Sequence, residues 1–223
     1  MTRSDLEREK RLVAEAAAEL VPDGAKVGLG TGTTVAFLLP ALAARCRHLT
    51  CAATSPRTER AARALGLTVR PLDELGALDI AIDGADQIAS DGWLVKGGGA
   101  AHTREKIVAA AAARFVVIAS SDKLVEKLHA PVPLELVPFG VGSTLAALAP
   151  AKLRDVPPSP DGNVIADYLG PVDDAAALAG RLSATPGVVE HGLFARELVS
   201  DVLVAHGTRV DRIAGMATAM QAG

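Results

Sequence analysis

Between Ile80 and Lys106 the chain reads IAIDGADQIASDGWLVKGGGAAHTREK, which holds four acidic residues, two lysines and a triple glycine. Asp83 and Asp86 follow directly on an apolar run, so a buried strand delivers two carboxylates to a loop. A second short apolar piece, Trp93-Leu94-Val95, leads Lys96 into Gly97-Gly98-Gly99, and an alanine-rich helix pattern with Glu105 near its start comes next. Glycine lets backbone N–H groups approach a ligand closely, and a helix N-terminus favours negative charge. Carboxylates that can exchange protons, one cation and a donor-rich loop thus converge where polar chemistry is feasible.

On a helix, Glu105 shares a stripe with Ala101, Val108 and Ala112. The plainer alternative is a solvated glutamate pairing with Arg104 or Lys106. The stripe weakens that alternative without removing it, because an alanine-rich helix can rotate to suit several registers.

The elements that must position these groups alternate between strand and helix. An amphipathic helix ends at Val21-Pro22-Asp23-Gly24. A strand at 26–30 then runs through the loop Thr31-Gly32-Thr33-Thr34 into a helix over 35–45, which Pro40 should kink or shorten. Strand, glycine-rich loop, helix is an arrangement in which backbone donors meet a phosphate. The third glycine of a dinucleotide fingerprint is replaced by Thr33, and the strand at 49–54 ends in Thr-Ser rather than an acidic residue. A small phosphorylated or polyhydroxy ligand suits the loop better, with the Thr31, Thr33 and Thr34 hydroxyls supplementing the backbone; a plain βα turn is the alternative. A helix over 56–65 and strands at 67–72 and 78–82 lead to the DGAD loop, and FVVIA at 115–119 ends at Ser120-Ser121-Asp122-Lys123. This alternation argues a parallel, Rossmann-like sheet whose strand C-termini form the ligand crevice. TGTT, DGAD and Lys123 all fall at such ends, although a lysine there can also be merely solvated.

From Ala130 the texture changes. Strand-like LELV, a helix near 143–148, a proline-rich loop to Pro160, a strand at 163–168, a helix at 173–183 and a strand at 188–194 read as two β-α-β units of a small ferredoxin-like domain. DVLVA at 201–205 then returns to the first domain. The expected division is 1–129 plus 200–223 for the Rossmann-like domain and 130–199 for the small α+β domain.

DGADQ followed by KGGGAAHTREK resembles the signature of type A ribose-5-phosphate isomerases. GLGTGTT at Gly28–Thr34, ASSDK at Ala119–Lys123, DGNVI at Asp161–Ile165 and PGVVEHGLF at Pro186–Phe194 fall in the family's order. The resemblance implies interconversion of ribose 5-phosphate and ribulose 5-phosphate, with no metal and no cofactor, in a homodimer or higher homo-oligomer. Moving a carbonyl from C1 to C2 removes a carbon-bound proton and leaves an enediolate. Glu105 is the candidate base. Lys96 and the Gly97, Gly98 and Gly99 amides would stabilise the oxyanion. Asp83 and Asp86 would manage the hydroxyl protons. Gly84 and Ala85 join the substrate loop, and Thr31–Thr34 with Lys123 would take hydroxyls and phosphate. Three departures from the family pattern stand out: Gln87 where glutamate is usual, His102 where leucine is usual, and a shortened, proline-rich 148–160. For His102 the expected place is the helix surface.

The whole chain fits this picture. Its 223 residues suit one large or two modest domains, and with one Trp, one Tyr and four Phe the core must be aliphatic. A net charge of −3 leaves no footprint for nucleic acid. No apolar run approaches the ~18 residues that span a bilayer, and the N-terminal stretch is charged rather than a signal peptide, so a cytoplasmic protein without membrane contact is expected. Cys46 and Cys51, five apart with no His/Cys cluster, suit neither zinc nor a disulfide as well as a reduced pair. Two other classes compete. A sugar-phosphate-sensing module of a transcriptional regulator would need a DNA-binding domain, yet one helix precedes the first strand. A transferase acting on CoA thioesters through a glutamate nucleophile would need a larger, more basic cleft.

Overall fold

The computed structural model describes residues 2–214. Its elements in chain order are α1 (Arg3–Ala18), β1 (Lys26–Leu29), α2 (Thr33–Arg45), β2 (Thr50–Ala53), α3 (Pro56–Ala64), β3 (Thr68–Val69), α4 (Leu72–Leu75), β4 (Ile80–Gly84), β5 (Gln87–Ala89), β6 (Leu94–Val95), α5 (His102–Ala110), β7 (Phe115–Ser120), β8 (Leu124–Val125), β9 (Val132–Leu136), α6 (Val141–Ala147), β10 (Ala151–Leu153), β11 (Val164–Tyr168), α7 (Ala175–Ala184), β12 (Val188–His191), β13 (Leu193–Phe194), β14 (Asp201–His206) and β15 (Arg209–Ala214).

They gather into two compact units. The first takes the chain up to Ala85, Arg104–Lys123 and the part from Glu197 onward; the second takes Asp86–Thr103 and Leu124–Arg196. Relative to the expected boundaries, 86–103 and 124–129 group with the small unit and 197–199 with the first. Residues 215–223, expected in the first domain, lie outside the described residues.

In the first unit, seven strands run in the order β15-β14-β7-β4-β1-β2-β3. All neighbours from β3 to β14 are parallel, and β15 closes one edge as the antiparallel partner of β14. Parallel strands need crossovers, which the helices supply. DVLVA is the expected returning strand, with Asp201–Ala205 in register with Val116–Ser120. The core is aliphatic: Val13, Ala17, Leu29, Leu38, Leu42, Ile82, Val116 and Ile118 pack in one cluster. Thr2 caps α1 in a reciprocal capping box with Asp5, and Ser55 caps α3 with Pro56 at its first position. Pro40 does not shorten α2, which continues to Arg45. Cys46 and Cys51 are free, and burial pushes the Cys51 thiol up to about 12.

In the second unit, the connectivity β9-α6-β10-β11-α7-β12 with strand order β10-β11-β9-β12, all antiparallel, is the ferredoxin-like arrangement. Its second strand, β10, falls in the segment read as a proline-rich loop. Three residues after Pro150 are too few to show a strand's alternation, yet they pair with Ala166–Tyr168. The expected strand at 188–194 is two: β12 extends the ferredoxin sheet, whereas β13 pairs with β6 in a separate small sheet, β13-β6-β5-β8. That small sheet holds 86–95 in the second unit. Leu134, Leu136, Leu148, Ala166, Leu178, Leu182 and Leu193 form this unit's core. Among the described residues no helix is long and apolar enough to cross a membrane.

Candidate active site

The chain passes from one unit to the other at Ala85–Asp86 and again at Thr103–Arg104. Both crossings fall among the residues singled out above, so the candidate groups are divided between the units.

In the first unit, β4 carries Asp83 to its C-terminal end, where the side chain is only 3 % exposed. It lies against the bare backbone of Gly30 at the end of neighbouring β1; a Cβ there would overlap the carboxylate. Asp83 Oδ1 accepts the N–H of Thr31 at 3.1 Å and of Gly84 at 2.7 Å. The Thr31 hydroxyl is occupied elsewhere, 2.8 Å from both Thr54 Oγ1 and Ser55 Oγ and 3.2 Å from Thr58 Oγ1. The TGTT loop is thus fastened on one side to DGAD and on the other to the Thr-Ser end of β2. Gly32, at φ 142°, turns the chain into α2, and Thr33 and Thr34 form its first turn. Their N–H groups belong to the end of a helix that attracts anions.

Lys10, on α1, donates to Thr33 Oγ1 at 3.0 Å. Nothing in the charged pattern of the first helix distinguishes this lysine from its neighbours, so its place beside the TGTT loop was not legible in the sequence. Lys123 stands in a short 3₁₀ turn, its Nζ 3.2 Å from Asp122 Oδ2. Burial opposes the charge on Asp122, but the Ser120 hydroxyl, Lys123 and Lys10 outweigh it and hold its carboxyl below the usual range.

Glu105 sits in the first turn of α5 and is 3 % exposed, with Ala101 and Val108 of the same stripe also buried. The solvated alternative does not hold for this glutamate. The stripe stops short of its expected end: α5 finishes at Ala110, and Ala112 is half-buried beyond it. Helix α5 lies close on the sheet because β1 offers Gly28 beneath it, where a Cβ would collide with Val108.

In the second unit, Asp86 is exposed, and its N–H pairs with the Val95 carbonyl at 2.8 Å, which sets it beside Lys96. Its Oδ2 accepts the Gly98 N–H at 2.7 Å. That amide, expected for an oxyanion, therefore braces a carboxylate instead. Lys96 is 2 % exposed, its Nζ 5.2 Å from the centre of the Phe194 ring, and among the described residues no other lysine or arginine is buried. Gly97 at φ 101° and Ala100 at φ 59° give the loop left-handed turns, and Arg154 donates to the Gly97 carbonyl at 3.1 Å while paired with Asp167. Gly99 is exposed.

The two departures near the site also have their place. His102 is fully buried, not on the helix surface. Its ring fills the room left by the missing side chain of Gly97. Gln87 is buried and clasps the His129 backbone, donating to its carbonyl at 2.8 Å and accepting its N–H at 2.9 Å. Among the described residues no three His, Cys, Asp or Glu side chains are grouped to hold a metal ion.

The family model described as ribose 5-phosphate isomerase A (phosphoriboisomerase A) matches residues 50–209. The ribose-5-phosphate isomerase A of Halobacterium salinarum is 48% identical over 199 residues, covering 83% of this chain and 87% of that protein. The structure of the ribose 5-phosphate isomerase A of Methanocaldococcus jannaschii superposes with a TM-score of 0.88 at 35% identity, covering 94% of this chain and 99% of that one. A D-ribose-5-phosphate isomerase solved in complex with phospho-erythronic acid superposes with a TM-score of 0.89 at 30% identity, covering 96% and 100%. These relatives lend no support to the transcriptional-regulator reading.

Proposed function

The chain belongs to the ribose 5-phosphate isomerase A family, and on that premise we propose that it interconverts D-ribose 5-phosphate and D-ribulose 5-phosphate by proton transfer through an enediolate. The observation that carries the mechanism is the burial of three charged side chains from one short stretch: Asp83, Lys96 and Glu105 are 3 %, 2 % and 3 % exposed. Ionised groups are costly to bury, and their concentration in DGAD, KGGG and TREK is what acid–base chemistry needs.

In this reading Glu105 takes the proton from C2 of the open-chain aldose. The electron pair moves into the C1–C2 bond and the carbonyl electrons onto O1. Lys96 neutralises the oxyanion, with the Gly97 and Gly99 amides as further donors. Asp83 and Asp86 pass the hydroxyl proton from O2 to O1, and Glu105 returns its proton to C1. Gly84 and Ala85 line the sugar with backbone. The phosphate goes to the Gly32–Thr34 turn, with Lys10 and Lys123 as cations. Thr31 serves as a support, since both its N–H and its hydroxyl are bonded within the loop cluster. The phospho-erythronic acid bound by the relative supports the substrate class: it pairs a phosphate with a planar anion at the other end of a short chain.

No metal enters these steps. The test is ribulose 5-phosphate formation from ribose 5-phosphate in D₂O, with and without a chelator. Expected are deuterium at C1 of the ketose and a rate indifferent to the chelator. Absence of ketose, or complete retention of the substrate hydrogen together with chelator inhibition, refutes the proposal. The reading also places the enzyme in the cytoplasm as a homodimer or higher homo-oligomer, supported by family membership and checked by sedimentation.

A further inference from the structure

One buried carboxylate of the second unit takes no part in the steps above. Glu135, on β9, is 1 % exposed. Its neighbours Leu134 and Leu136 enter the aliphatic core, so by strand alternation Glu135 points to the other face. Oε1 accepts the Ser159 hydroxyl at 2.5 Å and the Asn163 amide at 2.8 Å. Oε2 accepts the Thr103 hydroxyl at 2.5 Å. Ser159 Oγ in turn accepts the N–H groups of Asp161 and Asn163, each at 3.2 Å. The DGN motif therefore closes a turn from Ser159 to Asn163, made possible by Gly162 at φ 84°, whose two ends each bring a donor to one carboxylate. A carboxylate is expensive to bury and tolerates little loss of a donor once buried. Ser159, Asn163 and Thr103 are thereby each held in place.

Thr103 is the member of this set that leads elsewhere. It lies in the first turn of α5, two residues before Glu105. At 100° per residue the two side chains leave the helix on different sides, so fixing one fixes the rotation of the turn that aims the other. Packing of His102 against Gly97 and of Val108 against Gly28 seats α5, and the Thr103 bond to a buried, fully bonded carboxylate adds a directional polar constraint within the turn that carries Glu105.

We infer that Glu135 is a positioning residue for Glu105: through Thr103 it sets the rotation of the first turn of α5, and with it the aim of the base. The inference rests on the assignment of Glu105 as base.

Thr103→Val removes the hydroxyl at nearly constant shape, and Thr103→Ser keeps it. The Val variant should lose on the order of 10- to 100-fold in kcat, the scale for a misplaced catalytic group, with KM for ribose 5-phosphate little changed. The Ser variant should recover most of the loss, and Glu135→Gln should reproduce it. In a Glu105→Gln background the Val substitution should cost nothing further, because both act through one group. Wild-type kcat in the Val variant overturns the inference, as do equal losses in Val and Ser or a full additional loss in the Glu105→Gln background. If Glu105→Gln alone keeps wild-type turnover, the base assignment itself fails and the inference falls with it, a result distinct from the other three.

Discussion

Gly30 and Asp83 occupy one space: a side chain at Gly30 would displace the carboxylate that the Thr31 N–H holds at 3.1 Å. The C-terminal ends of two adjacent parallel strands thus fit together through the absence of a Cβ. Gly30→Ala should therefore push Asp83 out of place. Overpacking of this kind costs about 1–3 kcal/mol, and turnover should fall at least ~10-fold from the displaced group. Thermal melts and kcat on the same preparation check both.

Glu105→Gln should fold and bind substrate while turnover drops at least ~10²-fold, the low end for loss of a general base. Steady-state kinetics with circular dichroism decides the matter. Near-normal turnover would move the base elsewhere, with Asp83 next in line.

Lys96→Ala should lower kcat by the equivalent of ~2.7–4 kcal/mol, the scale for one oxyanion donor. A change confined to KM would make Lys96 a ground-state ligand for the phosphate instead.

Glu9 links three distant parts of the first unit. Its Oε2 accepts the Ser121 N–H at 2.9 Å and hydroxyl at 2.8 Å, and its Oε1 the Gly207 N–H at 2.7 Å. Burial raises the carboxyl's pKa, but the Gly207 and Ser121 donors outweigh it, so Glu9 titrates below its ordinary value. A depressed folded pKa stabilises the fold above the unfolded value, about 4.3, and that stabilisation is lost as pH falls through the lower folded value. Glu9→Gln should cost about 1.5–3 kcal/mol at neutral pH. Its melting temperature should converge on wild type in acid. A gap that stays constant down to pH 3 would contradict the assignment.

What the sequence disclosed depended on how local each feature is. DGAD, KGGG and TREK lie in one continuous stretch, and their strand, loop and helix context follows from periodicity and glycine. The same holds for the alternation that built the parallel sheet. The Thr31 hydroxyl cluster needs Thr54, Ser55 and Thr58 from the end of β2 and the start of α3, and the role of Lys10 needs α1 laid beside α2; neither leaves a local trace. A helix pattern says nothing about the cavity that Gly97 makes, so it cannot place His102 inside. β10 has no sequence signature, because three residues between prolines have no readable period. Glu135 looks like any strand glutamate until its three donors, from 103, 159 and 163, are brought to it.

The strand order of the first unit has a consequence for how the chain is made. β7, whose six residues are all buried, lies between β4 and β14, and β14 begins some eighty residues after β7 ends. On the ribosome, FVVIAS emerges long before the strand that covers its second edge, and an uncovered apolar edge is a template for pairing with other chains. Synthesis halted before Asp201 leaves that edge open, whatever the state of the segments already made. A nascent chain of this protein is therefore most exposed to aggregation between the emergence of β7 and that of β14, while the ferredoxin-like segment is being made.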